Sequence, residues 1–123
     1  MTTWTDTELA RIGDAEELQI ASTREDGTMR PYVTIWVVRV GDELIVRSAY
    51  GSTNPWYRRA VASGTGRILA GGVERDVRFA DATAAASDID AVYHAKYDKY
   101  GPRIVGGVVG ASVADVSLSL VPR

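Results

Sequence analysis

The stretch YVTIWVVRVGDELIVRSAY, running from Tyr32 to Tyr50, decides the fold. Tyr32 to Val40 reads as one strand: Tyr32, Thr34, Trp36, Val38 and Val40 share one face, and Val33, Ile35, Val37 and Arg39 the other. The run is apolar on nearly both faces, which places it at the centre of a sheet or barrel. Gly41 and Asp42 make a tight hairpin turn, and Glu43 to Ala49 returns antiparallel. Gly51 to Asn54 is then a loop. Asn54 suits a helix N-cap and Pro55 the first helical position, so the spacing predicts a helix from Pro55 to about Ser63.

Upstream, Thr5 and Glu8 have the spacing of a capping box, with Trp4 and Leu9 as its hydrophobic staple. A short helix is predicted to about Ile12, stopping at Gly13. Leu18 to Thr23 reads as a first strand, and Glu25-Asp26-Gly27 as a turn. Downstream, Arg67 to Ala70 and Val73 to Ala80 flank Gly71-Gly72 as a second hairpin. Ser87, with Asp90 three residues on, reads as the start of a helix that carries Ile89, Val92, Tyr93, Lys96, Tyr97 and Tyr100 at helical spacing and ends at Gly101-Pro102. Arg103 to Val109 and Asp115 to Val121 read as closing strands. The expectation is one domain over residues 1–123, with six to seven mainly antiparallel strands in a small barrel and about three short helices packed outside. The strand-helix alternation of a doubly wound parallel sheet is missing.

Composition narrows the function. Of the 123 residues, 46% are hydrophobic, enough for one core. Fourteen basic against 16 acidic side chains leave a formal charge of −2, which argues against a broad nucleic-acid-binding face. There is no cysteine, so disulfides and thiolate metal sites are excluded. His94 is the single histidine, so no histidine-rich metal site is expected. Met1 to Arg11 is polar, and no apolar run approaches the roughly 20 residues that span a bilayer. The expectation is a soluble, cytoplasmic domain.

Few residues suit catalysis in familiar constellations. His94 sits on a helix opposite the Tyr93/Tyr97 stripe and reads as a rim residue. Asp88 and Asp90, like Glu16 and Glu17, read as helix-start charges. Gly64-Thr65-Gly66 lacks a third glycine and precedes a strand, unlike a dinucleotide loop. The junction from Ser48 to Arg59 is richer. Ser48 ends a strand, the amides at the helix start point at the same loop, Arg58 and Arg59 follow one turn in, and Arg30 and Arg47 lie on neighbouring strands. Helix amides and guanidinium groups together make an anion seat. A plainer reading has Asn54 capping, Trp56 packed inward and the arginines solvated. Tyr93, Tyr97 and Tyr100 form a second cluster. They either line a pocket for a flat ring or are half-buried with hydroxyls in water.

The sequence is similar to the deazaflavin-dependent nitroreductases, within the pyridoxamine-phosphate-oxidase-like split β-barrels. More closely, it resembles a small family known as a domain of unknown function, in which stretches like VTIWVVRVGDELIVRSAYG, NPWYRRA and YHAKYDKYGPRIVG recur. The resemblance runs from about Ile20 to the C-terminus. It implies a split β-barrel, FMN-binding-like, that holds a flavin-type ring along one face. Arg30 matches the strand arginine on the cofactor phosphate. Ser48 matches the residue near the ring, and Asn54, Trp56 and Tyr57 match the helix opening beside it. Tyr93, Tyr97 and Tyr100 match the substrate-pocket tyrosines, with Tyr93 or Tyr97 as proton donor. The cofactor would be a deazaflavin coenzyme or FMN, no metal would be needed, and the protein would be a homodimer. The implied activity is hydride transfer to small aromatic, quinone or nitro compounds. The alternative is a non-catalytic module that binds a small ligand. Departures bear on the cofactor: the lead-in is Thr23-Arg24-Glu25-Asp26-Gly27, whose acids repel phosphate, and Ala49 stands where a basic residue is usual.

Overall fold

In the computed structural model, which describes residues 3–123, the long apolar run is two strands and not one. The elements in chain order are α1 (Asp6–Asp14), β1 (Leu18–Ser22), β2 (Val33–Ile35), β3 (Val38–Val40), β4 (Glu43–Arg47), α2 (Pro55–Ser63), β5 (Thr65–Ala70), β6 (Val73–Asp81), α3 (Ala86–Tyr97), α4 (Pro102–Val105) and β7 (Ser117–Pro122). The seven strands form one sheet in the order β2-β1-β5-β6-β7-β4-β3, every pair antiparallel.

That order explains the break. The two edge strands, β2 and β3, are consecutive in the chain, with only Trp36 and Val37 between them. Three Cα–Cα steps reach at most about 10 Å. The sheet therefore curls until its edges meet at Trp36 and Val37, which makes a split β-barrel. The Val37 peptide groups, lost to the ladder, are taken up by α3. The Val37 amide donates to the Tyr97 hydroxyl at 3.2 Å, and the Lys96 ammonium donates to the Val37 carbonyl at 2.7 Å. Buried backbone groups need such partners, so these two side chains hold the seam closed. Val37 and Val38 are both fully buried, which a strict two-residue alternation forbids and a break permits.

Two apolar clusters result. Leu18, Ile20, Val46, Ile68, Val77 and Leu120 fill the barrel together with Leu9 and Ile12 of α1. On the outer face of β3 and β4, Val38 and Ile45 pack under Ile89, Tyr93 and Tyr97 of α3. Gly64 ends α2 in the left-handed conformation, φ 74°, and Gly66 lies in β5. A Cβ on Gly66 would fall 2.0 Å from the Ala21 carbonyl oxygen, so β1 and β5 need glycine at that crossing. Close strand packing thus explains the Gly-Thr-Gly motif.

Three further expectations are corrected. The apolar run is not at the centre of the sheet, because its two strands are the sheet's edges, apolar on both faces where the edges meet. Arg103 to Val109 is not a strand: Pro102–Val105 forms one helical turn, which Pro102 starts. The N-cap of α3 is Ala85, and Ser87 lies inside the helix. Among the described residues, no helix is long and apolar enough to cross a membrane.

Candidate functional site

The loop from β4 to α2 is fixed from within. The Asn54 amide donates to the Ala49 carbonyl at 2.6 Å and to the Ser48 hydroxyl at 3.1 Å. Ser48 in turn donates to the Gly51 carbonyl. Asn54 occupies the N-cap position of α2, yet its side chain makes no capping hydrogen bond. Its amide is spent on the loop, which leaves the Trp56 and Tyr57 amides without the usual side-chain acceptor.

Two depressions lie on either side of this helix start. A cleft of about 480 Å³ runs between the β1–β2 connection and α2, with Arg24, Arg30, Arg58 and Arg59 around it and Glu25 as its one carboxylate. Arg58 and Arg59 are exposed, and neither they nor Arg30 has an ion-pair partner among the described residues. Asp26 stays out of the cleft. Hydrogen bonds from the Thr28 hydroxyl (2.6 Å) and amide (3.0 Å) hold it in the turn and lower its carboxyl below the usual range. The second depression is a groove of about 420 Å³ whose walls include Val33, Trp36, Tyr50, Asn54 and Trp56, with Glu17 and the buried Arg47 as its charged residues. Between the two lies a dimple of only about 10 Å³, which shares Arg30 and Arg59 with the cleft and Val33 and Trp56 with the groove. The cleft and the groove are thus neighbours on this surface, one lined by arginines and the other by aromatic rings.

The structure sorts the residues nominated from sequence. Arg30, Asn54 and Trp56 come together on this surface. Ser48 is wholly buried behind Asn54, so it braces the loop and is out of a ligand's reach. Tyr57 turns away and packs against the barrel core, where burial raises its hydroxyl pKa. Tyr93 and Tyr97 have no exposed surface, which removes both from any pocket wall as the barrel stands. The Tyr97 hydroxyl is committed to the seam and to the Glu16 carbonyl at 2.9 Å. Burial pushes both phenols far above their ordinary pKa, away from proton donation near neutrality. Tyr100 is 43% exposed; it stacks on Trp36 with ring centroids 5.6 Å apart and donates to Glu16 at 2.6 Å. It supports the groove wall from outside. Arg47 is buried against Asp90, the Ser117 hydroxyl (2.8 Å) and the Val108 carbonyl (2.9 Å), so its charge is spent internally.

Sequence reasoning missed two groove residues. Trp36 looked like an ordinary strand residue, but the break turns it into the wall, held flat on the Tyr97 ring at 3.9 Å and 3°. Tyr50 falls between the predicted strand end at Ala49 and the predicted loop from Gly51, and the sequence assigns it no role. Arg24 lines the cleft, but its guanidinium donates to the Thr28 hydroxyl at 3.3 Å and the Met29 carbonyl at 3.0 Å within its own turn.

The fold and this surface define a class: a small split β-barrel of the pyridoxamine-phosphate-oxidase-like kind with a groove at the helix opening. It shares the fold of a putative pyridoxamine 5'-phosphate oxidase from Listeria innocua, at 14% identity over 96% of this chain and 92% of that one, TM-score 0.61. It also shares the fold of HutZ, the heme storage protein of Vibrio cholerae, at 12% identity over 93% and 86%, TM-score 0.62. A third structure of this fold is an F420 reductase, at 18% identity over 93% and 90%, TM-score 0.51. No curated protein matches the sequence. The chain belongs to the DUF2255 family of uncharacterized proteins conserved in bacteria, which it matches over residues 8–120.

Proposed function

We propose that the chain binds a flavin-type cofactor, FMN or a deazaflavin, and is a cytoplasmic reductase of small aromatic, quinone or nitro compounds. One observation carries this reading: an arginine-lined cleft and an aromatic groove flank the start of α2, with Arg30, Arg59, Val33 and Trp56 between them. A phosphorylated planar molecule has that same division of charge. Arg30, Arg58 and Arg59 would hold the phosphate by charge-assisted hydrogen bonds, and the unfilled cap of α2 favours an anion there. Trp36, Trp56 and Asn54 would hold the ring. The cofactor, when bound, supplies a hydride donor; the chain's own residues supply position and electrostatics. Glu25 inside the cleft favours a tail with few negative charges, which argues for FMN. The F420 reductase of the same fold supports the wider class. A porphyrin is less well served, because His94 pairs with Asp98 at 2.8 Å on the surface of α3 and does not line the groove. A homodimer, implied by the resemblance, is part of the reading.

A second reading, a binding module without catalysis, is favoured by the burial of Tyr93 and Tyr97, which leaves no nominated proton donor in the groove. Titration of the purified protein with FMN and with F420, followed by absorbance, tests the first claim; micromolar or tighter binding of one is expected. Reduction of the loaded protein and addition of menadione then separates the two readings. Rapid reoxidation without oxygen supports the reductase. Stable reduced cofactor supports the module, and binding of neither cofactor ends the flavin-type reading and leaves only a module for another small ligand.

A further inference from the structure

Tyr50 is the one described residue other than glycine with a positive φ, at 62°. Bulky side chains avoid this left-handed region, and glycine enters it without strain. The tyrosine does not repay that strain by burial, since it is 78% exposed, more than any other large hydrophobic side chain of the described residues. Yet it is held. Its amide donates to the Gly107 carbonyl at 2.8 Å. A Cβ built on Gly107 would meet the ring at Cζ, Cε1 and Cε2, at 2.8, 3.0 and 3.1 Å. Near-equal distances to both ε carbons, with the hydroxyl farther away, put Gly107 over a face of the ring and not at its edge. One face therefore rests on glycine backbone while the other is open, and the ring lines the groove that holds Trp36 and Trp56.

Strain at an exposed aromatic that serves no core is the pattern of a functional position. We propose that Tyr50 is a specificity-determining residue of the groove, a preset aromatic plate against which the planar ring of the ligand stacks. This rests on the flavin-type reading above. Gly107 is its seat, because any side chain there would tip the plate. The ring face is the working part, and offset stacking needs no hydroxyl.

The test uses FMN as probe on the full chain, with melting temperature measured beside affinity. Tyr50→Gly relieves the backbone, so its melting temperature is expected to equal or exceed that of the wild type, while FMN affinity falls by about tenfold. Tyr50→Phe keeps the plate and is expected to bind FMN within about threefold of the wild type. Tyr50→Gly that binds FMN as the wild type does overturns the inference and leaves the cofactor reading standing. A clear drop in its melting temperature also overturns it, because the tyrosine would then be serving the fold. Failure of the wild type to bind FMN removes the inference together with the reading beneath it.

Discussion

Helices α1 and α2 are each nine residues long and are held in opposite ways. Helix α1 has a complete capping box between Thr5 and Glu8, acids Asp6 and Glu8 in its first turn and Arg11 in its last. Arg75 pairs with Glu8 at 2.9 Å, and at the other end Lys96 donates to the Gly13 carbonyl at 2.9 Å. That ammonium is costly to bury, and burial lowers its pKa to about 8. Helix α2 has no side-chain cap, no acid in its first turn and no base in its last. Ala60 is its one fully buried residue, with Trp56 and Tyr57 partly buried against the core, and Arg58 ends its first turn, where a cation opposes the helix dipole. One helix is built as a prop for the barrel. The other gives up local stability and gains a cationic, unfilled start, the kind of compromise that marks a ligand seat.

The largest test of that contrast is Arg58→Glu. The new carboxylate suits the dipole of α2, so folding stability is expected to rise by about 0.3–1 kcal/mol in urea unfolding. The same change puts a second carboxylate in the cleft and removes a guanidinium, and FMN affinity is expected to fall by roughly 100-fold. Loss of both stability and affinity would mean that Arg58 supports the fold, and the contrast would fail. Thr5→Ala is the smaller, converse change. Loss of the cap is expected to cost about 1 kcal/mol of stability with no effect on FMN affinity. A clear affinity change there would show that the two helices are coupled.

What was legible in the sequence was local. The β3–β4 hairpin, the capping box and the helix start at Pro55 follow from residues within a few positions of one another. Arg30, Asn54 and Trp56 were recognisable because the Asn-Pro-Trp element sits at a strand-to-helix junction. The break at Trp36 and Val37 was hidden, since it follows from the strand order of the whole sheet, and the groups that satisfy it, Lys96 and Tyr97, lie 59 and 60 residues from Val37. The same distance hid the fate of the tyrosines: helical spacing put Tyr93 and Tyr97 on one face, but only the packing of α3 on β3 made that face a core. Ser48 was correctly placed beside Asn54, yet nothing in the sequence told which of the two would be covered. Tyr50 was illegible because the Ser48–Gly51 turn puts a tyrosine at the positive φ where glycine or asparagine is usual, and its seat on Gly107 lies far along the chain.

The central claim is that guanidinium groups beside α2 hold the phosphate of a planar ligand whose ring lies in the groove. Calorimetric titration with FMN and with riboflavin, at low and then moderate salt, measures this directly, because the two share a ring and differ by the phosphate. FMN is expected to bind at least about tenfold tighter at low salt, with the advantage shrinking as salt rises. Equal affinity for the two, or an advantage that salt leaves untouched, would contradict it.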